Sequence, residues 1–253
     1  MRLAFFILFS ITVVISSCKK EKTNTISENP EISCVCLKEN IGVTLGNQIE
    51  CLGFLTMTTY TNATVGKVFS YMDATAYFND KASTVNGNFV TVDSVLLNDR
   101  NFLLLNDANS KPMYYFTSLS ATDPQRWRIY GANGIPTFEF SSNLKDPGAD
   151  FSSVPSQINK SIQKSFKLNG VTNVTSAAVL ILDESGKTSW NISTIIREGS
   201  NDICFPEDQL KLLGPGKARL VILLENTIVQ PFNSKNIAFL KKLQYEKEIV
   251  LNP

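Results

Sequence analysis

The sequence predicts an all-β protein built from two β-sandwich domains. Short runs rich in β-branched and aromatic residues recur along the chain, and Asn, Asp, Gly and Pro separate them, a pattern typical of strands and turns. One longer connection, residues 141–161, is crowded with Ser, Pro, Gly, Asn and Asp. These observations predict an N-terminal domain over 37–145 and a C-terminal domain over 160–253.

The strands of the first domain follow from alternation between apolar and polar side chains. In the segment RWRIYG, Trp127 and Ile129 share one face of a strand, and Arg126, Arg128 and Tyr130 share the other. We therefore expect the Trp and the Ile to enter the core and the other three side chains to face outwards. The predicted strands are 41–46, 50–59, 73–78, 89–97, 101–106, 113–118, 126–130 and 136–141.

The second domain repeats the strand pattern seven times, the number expected of an immunoglobulin-like sandwich. The segment AAVLILDESGKTSWNIS predicts a hairpin whose turn lies at 184–187. The segment PEDQLKLLGPG predicts one short helix. Pro206 suits its first turn, Glu207 and Asp208 favour its positive end, and Gly214 ends it.

The N-terminus predicts a secretory signal peptide over 1–17, because one basic residue precedes a short apolar run. That run is shorter than the roughly 20 apolar residues of a membrane-spanning helix. Ile15, two serines and Cys18 then resemble the lipobox of bacterial lipoproteins. This resemblance implies cleavage before Cys18, acylation of its thiol and membrane anchoring through lipid. Residues 18–36 predict a lipidated, flexible tether.

The body of the chain resembles a group of uncharacterised two-domain Bacteroidota lipoproteins. The resemblance lies in DATAYFND, VTVDSVLLND, RWRIYGANGIPTFEFS, INKSIQKSFKLNGV and DICFPEDQLKLLGPGKARLVILLEN. It implies a lipobox, an N-terminal β domain and a C-terminal immunoglobulin-like β-sandwich. No Asp follows Cys18, which in Gram-negative lipoproteins implies outer-membrane sorting and leaves the side of that membrane open. The shared motifs are structural, so the resemblance implies no activity.

Composition excludes several classes of function. The sequence has no histidine, which removes Ser-His-Asp catalysis, His-ligated zinc and imidazole pH switching. The chain has 24 basic and 23 acidic residues, so it carries no general field that would attract nucleic acid. We expect no cofactor and no metal.

Four cysteines remain beside Cys18, and an oxidising compartment permits disulfides between them. A bridge from Cys34 or Cys36 to Cys51 is favoured, with Cys36–Cys51 as the pair that we predict, leaving Cys204 outside it. A four-thiolate zinc site is the rival interpretation. Paired C-x-x-C knuckles are missing from the spacing.

These features predict a non-catalytic binding or adhesion protein of the cell envelope, in which Arg126, Arg128 and Tyr130 bind a glycan or another envelope protein. A planar ring beside two forked donors suits a hydroxyl-rich or acidic sugar. One alternative is a glycan hydrolase that uses a carboxylate pair. Its candidate residues are Glu139, Asp146, Asp150, Glu184 and Glu225. A purely structural spacer is the other alternative.

Overall fold

The structure, a computed structural model, describes residues 51–64, 67–81, 88–107, 109–118, 124–162, 164–193 and 199–253. These residues form strands almost throughout, which confirms the predicted all-β class. The elements are β1 (Gly53–Thr64), β2 (Lys67–Asn79), β3 (Phe89–Val90), β4 (Ser94–Leu97), β5 (Arg100–Asn101), β6 (Leu103–Asn106), β7 (Pro112–Ser118), β8 (Gln125–Tyr130), β9 (Phe138–Ser142), β10 (Gly148–Asp150), β11 (Gln157–Asn159), β12 (Lys164–Thr172), β13 (Ser176–Asp183), β14 (Thr188–Ser193), β15 (Gly199–Phe205), α1 (Glu207–Leu210), β16 (Gly216–Phe232) and β17 (Lys235–Asn252).

Three sheets make two sandwiches. The main sheet runs in the order β14-β13-β16-β17-β1-β2-β7-β6, with β11 added beside β17 and β3 beside β2. The N-terminal cover sheet has the order β5-β4-β8-β9, and the C-terminal cover sheet has the order β10-β12-β15. Each cover sheet packs on a different part of the main sheet, as the two hydrophobic cores show.

The N-terminal core lies between the main sheet and the N-terminal cover sheet. Leu55 and Phe78 enter it from the main sheet, and Trp127 and Ile129 enter it from β8, as the sequence predicts. The C-terminal core lies between the other end of the main sheet and the C-terminal cover sheet. Its fully buried members include Leu168, Val179, Ile181, Ile203, Phe205, Leu220 and Ile222.

Strand β17 contributes to both cores, so the predicted domain boundary does not divide the fold. Its early residues Ile237 and Phe239 belong to the N-terminal core, whereas Tyr245, Ile249 and Leu251 belong to the C-terminal core. The same strand pairs in parallel with β1, from the other end of the chain. The described residues accordingly form one compact unit. Two sandwiches are present, and backbone pairing joins them through one sheet, so the division at 37–145 and 160–253 stays a prediction.

The connection over 141–161 is part of the sheets and not an open linker. It contributes β10 to the C-terminal cover sheet and β11 to the main sheet. Beneath it, the buried ammonium group of Lys241 lies 3.0 Å from Oδ1 of Asp146. Asn226 donates a hydrogen bond to the carbonyl of Lys145 at 2.9 Å, and Asn173 donates one to the carbonyl of Asp146 at 3.1 Å.

The hairpin β13–β14 confirms the predicted turn, and Asp183 joins that turn to the segment that follows α1. Its Oδ1 accepts hydrogen bonds from the backbone N–H groups of Ser185 and Lys187, and its Oδ2 accepts one from Gly214 at 2.6 Å. These hydrogen bonds lower the pKa of Asp183 from 3.8 to about 2, and the bond from Gly214 has the largest effect. A Cβ on Gly214 would lie 3.3 Å from the same carboxylate, so glycine suits this close approach.

The predicted disulfide of Cys51 is absent from the structure. Cys51 carries a free thiol, buried against Ala238 and Leu240, and burial raises its pKa to about 11. Its bridge to Cys36 is therefore wrong. Cys204 is disulfide-bonded, and its partner lies outside the described residues. Cys18, Cys36, the signal peptide over 1–17 and the tether over 18–36 also lie outside them. The short helix α1, the one helix described, is not long enough to cross a membrane.

A fragment of residues 160–253 is expected to show no cooperative melt by circular dichroism. Without β1, strand β17 loses a parallel neighbour, and Ile237 and Phe239 lose the core that covers them. Co-expression with residues 18–159 should restore the cooperative transition. A sharp melt of the C-terminal fragment alone would contradict the shared-sheet description.

Replacing Asp183 with Asn is expected to lower the melting temperature at neutral pH and to make the melting temperature less dependent on pH in acid. The folded-state pKa is depressed, so this carboxylate stabilises the protein above its ordinary pKa of 3.8 and loses that effect as pH falls towards about 2. Thermal melts between pH 2 and pH 7 measure the difference, with Asp202→Asn as a control at an exposed strand aspartate. Parallel curves for wild type and Asp183→Asn would refute this assignment.

Candidate functional site

Four tyrosines gather on the outer side of the main sheet, opposite the N-terminal core. Strand register places Tyr60 directly across from Tyr71, and places Tyr115 beside the same strand, opposite Thr75. Tyr77 lies further along β2 on the same side, because residues two apart on a strand share a face. We call this surface, formed by Tyr60, Tyr71, Tyr77 and Tyr115, the tyrosine face.

The pair Tyr60–Tyr71 is the centre of this face. The rings stack with centroids 4.6 Å apart and an interplanar angle of 12°. Tyr60 is half-buried, whereas Tyr71 leaves 47% of its surface exposed. The cross-strand stack therefore holds an exposed aromatic ring in a fixed orientation.

A nearly buried carboxylate lies beside the stacked pair. Asp73 is 9% exposed and is hydrogen-bonded to the Tyr60 hydroxyl. Burial raises the pKa of Asp73, and it also raises the pKa of Tyr60 to about 12, with the neighbouring Asp73 charge as the second cause. The pKa of Tyr71 is raised by burial first and then by the charges of Asp73 and Glu246. The centre of the face is thus electronegative.

The remaining side chains extend the face across the sheet. The Tyr77 hydroxyl donates to the sulfur of Met113 at 2.7 Å, and its ring meets Phe89 edge-on at 5.8 Å. Lys111 places its ammonium group 4.4 Å from the centroid of the Phe89 ring. The Tyr115 hydroxyl accepts a hydrogen bond from Thr117 at 2.7 Å.

This arrangement can bind a ligand that has both apolar faces and hydroxyl groups. An exposed tyrosine ring presents an apolar surface for stacking, and its hydroxyl remains polar. Carboxylate oxygens accept hydrogen bonds from hydroxyl donors. Asp73 disfavours anionic ligands next to Tyr71 because its negative charge acts on that ring, whereas Glu246 acts on it more weakly and lies 3.8 Å from Arg219.

The predicted arginine site has the expected orientation but a different chemistry. Arg126, Arg128 and Tyr130 do lie on the outer side of β8, away from the core. Glu139 on β9 lies across from Arg128, and its carboxylate accepts bonds from Arg126 Nε at 2.6 Å and from Arg128 Nε at 3.3 Å. Arg128 also contacts Asp99 at 3.0 Å. The two guanidinium groups therefore already have carboxylate partners.

These ion pairs leave the arginine surface nearly neutral, with two basic and two acidic groups in one exposed network. The hydrogen bonds from Arg126, and then those from Arg128, lower the pKa of Glu139. Exposed ion pairs of this kind contribute little to stability. Tyr130 is 43% exposed, but both guanidinium groups that would bind an acidic sugar beside it already pair with carboxylates.

The carboxylates proposed for a hydrolase lie on separate elements, each in its own surroundings. Asp150 accepts from the N–H of Ser152, and Glu184 lies exposed in the β13–β14 turn. Glu225 is buried, with one oxygen 3.1 Å from the Lys242 ammonium group. Among the described residues, no cluster of three Cys, Asp or Glu side chains is placed to hold a metal ion.

Sequence reasoning missed the tyrosine face, although part of its signal is local. The segment YMDATAY places Tyr71, Asp73, Thr75 and Tyr77 two residues apart, on one side of a strand. Tyr60 and Tyr115 join them only through strand pairing. Tyr114, next to Tyr115 on β7, is instead a core residue, and its hydroxyl donates to the carbonyl of Val92.

Comparison with known proteins gives no family. No family model and no curated protein matches the chain. One similar solved structure is that of the fibronectin(III)-like modules of Clostridium thermocellum CbhA, at 9% identity over 78% of this chain and 94% of that chain, with a TM-score of 0.22. A likeness this weak supports no argument about function.

Proposed function

We propose that this protein is a non-catalytic, lipid-anchored protein of the cell envelope that captures a neutral, hydroxyl-rich glycan on the tyrosine face. The observation that supports the proposal is the stacked pair Tyr60–Tyr71, which holds an exposed ring next to the carboxylate of Asp73. Stacking on a fixed ring costs little conformational entropy on binding.

The charge of the face selects the ligand class. Asp73 repels anions, and its oxygens offer acceptors to the hydroxyl groups of a sugar. The acidic sugar that the arginine pattern suggested would need guanidinium donors, and Glu139 and Asp99 already engage those. A neutral glycan therefore suits this protein better than an acidic one.

Three of the carboxylates that were candidates for a hydrolase already have charged partners, which favours a binding role over catalysis. Glu139 bonds two arginines, Asp146 pairs with Lys241, and Glu225 pairs with Lys242. A glycosidase needs an acid and a base or nucleophile that face one substrate bond. Nothing in the described part of the chain favours such a pair over the tyrosine face, so the hydrolase is not proposed.

The proposed location follows from the N-terminal sequence. Cys18 would carry the lipid, the segment 18–36 would connect it to the folded body, and the outer membrane would be the attachment surface. The membrane is then a partner through lipid alone, and the glycan or the envelope protein that carries it is the second partner.

Replacing Tyr71 with Ala is expected to weaken glycan retention roughly two- to tenfold, which corresponds to loss of an aromatic contact of about 0.5–1.5 kcal/mol. The assay is a glycan array or affinity electrophoresis with neutral and acidic polysaccharides. The fold should survive, because Tyr71 is an exposed residue outside both cores.

Tyr130→Ala is the matched control, because Tyr130 has similar exposure on the opposite cover sheet. It should leave retention unchanged. Loss of binding in Tyr130→Ala but not in Tyr71→Ala would return the site to the arginine surface. If wild-type protein retains no glycan at all, the binding proposal fails and the spacer function takes its place.

The lipid anchor has its own test. Wild-type protein should partition into the detergent phase of Triton X-114, and mass spectrometry should find an acylated Cys18 as the first residue. Cys18→Ala should prevent this processing and partitioning. Normal cleavage and membrane retention of the Cys18→Ala protein would refute the lipoprotein assignment without affecting the glycan proposal.

A further inference from the structure

Strand β6 is an apolar edge of the main sheet. It pairs with β7 on one side and ends the strand order on the other. All four residues of the strand are exposed, and the exposed fractions are 67% for Leu103, 52% for Leu104 and 44% for Leu105. Three consecutive exposed leucines, on an edge that pairs with no further strand of the described residues, are a surface that another strand can cover.

This edge lacks the features by which sheet edges usually avoid pairing. Natural edge strands carry Lys, Pro, inward charges or bulges. The sequence of β6 is Leu-Leu-Leu-Asn, and its register with β7 is regular over all four residues. Its backbone can therefore accept a further antiparallel strand without distortion.

We propose that β6 pairs with β6 of a second copy of this chain, in antiparallel orientation, so that the two main sheets join into one. A two-fold axis perpendicular to the sheet generates this pairing. Leu104 then lies opposite Leu104 of the second copy, and Leu103 lies opposite Leu105 of the second copy. Three leucine pairs leave water together, and each copy supplies the same residues.

The charges that flank β6 favour a second copy in antiparallel orientation. No charged residue lies within the strand, so no like charges are brought together. Exposed Arg100 precedes β6 and Asp107 follows it. Arg100 lies in β5 of the N-terminal cover sheet. The antiparallel arrangement places it and Asp107 of the second copy at the same end of the paired strands, whereas a parallel arrangement would place like charges at the same end. The proposal does not depend on the glycan site.

Sedimentation equilibrium of the soluble body, residues 19–253, tests the association. The wild-type protein should show a reversible monomer–dimer equilibrium, and Leu104→Lys should raise the dimer dissociation constant at least tenfold, because it places two ammonium groups opposite each other on the axis. Circular dichroism melts verify that the variant is folded. Leu212→Lys is the matched control, since Leu212 is 68% exposed in the segment after α1, and it should leave the equilibrium unchanged.

A cysteine scan tests the register. Leu104→Cys should form a disulfide-linked dimer under mild oxidation, because the residue meets itself on the axis. Leu103→Cys alone should not, whereas a mixture of Leu103→Cys and Leu105→Cys proteins should give the mixed dimer. Leu212→Cys measures the cross-linking that random collision produces. Equal cross-linking at every position would overturn the proposed pairing.

A protein that stays monomeric at several hundred micromolar would overturn the proposal. In that case phosphatidylethanolamine–phosphatidylglycerol vesicles identify the other apolar occupant. Co-sedimentation of wild-type monomer that Leu104→Lys abolishes would assign the edge to a lipid surface in place of a second copy.

Discussion

The parallel pairing of β1 with β17 is the constraint on which the rest of the structure depends. It runs from Gly53 opposite Ile237 to Ala63 opposite Lys247, so it joins the first described strand to the last. Parallel neighbours need a long crossover, and here residues 65–234 lie between them. Both cover sheets and both cores are placed by this one non-local contact. Because loop closure must precede it, we expect the sheet to complete late in folding.

The order of apolar and polar residues on the core-facing side of β17 explains how this strand contributes to two separate cores. Its core-facing row begins with Ile237 and Phe239 of the N-terminal core and continues with Lys241. The C-terminal part of the row then follows, with Lys247 between Tyr245 and Ile249. Lys241 is matched by Asp146, and Lys247 donates to the carbonyl of Val154 at 2.5 Å. A buried ammonium group is tolerated only where such partners are present. Lys241 therefore binds the connection to the sheet between the two cores, and Lys247 binds it within the C-terminal part of the row.

The sequence predicted local features well and pairing poorly, for a physical reason. Alternation showed that Trp127 and Ile129 are core residues, and turn chemistry placed the β13–β14 hairpin. Neither signal carries information on which strands become neighbours, so the sequence could not predict the shared sheet or the free thiol of Cys51. The arginine surface shows the same limit. Its orientation was predictable from β8 alone, but its neutralisation depends on Glu139 across the strand pair.

The arginine surface and the tyrosine face thus differ in which of their groups are free to contact a ligand. On the N-terminal cover sheet, each guanidinium group already meets a carboxylate, so a ligand would compete with existing bonds. On the main sheet, the Tyr60 hydroxyl binds Asp73, while the ring of Tyr71 keeps much of its surface in water. Covering that ring removes apolar area from solvent and breaks no ion pair. The main sheet is therefore the surface on which binding gains most.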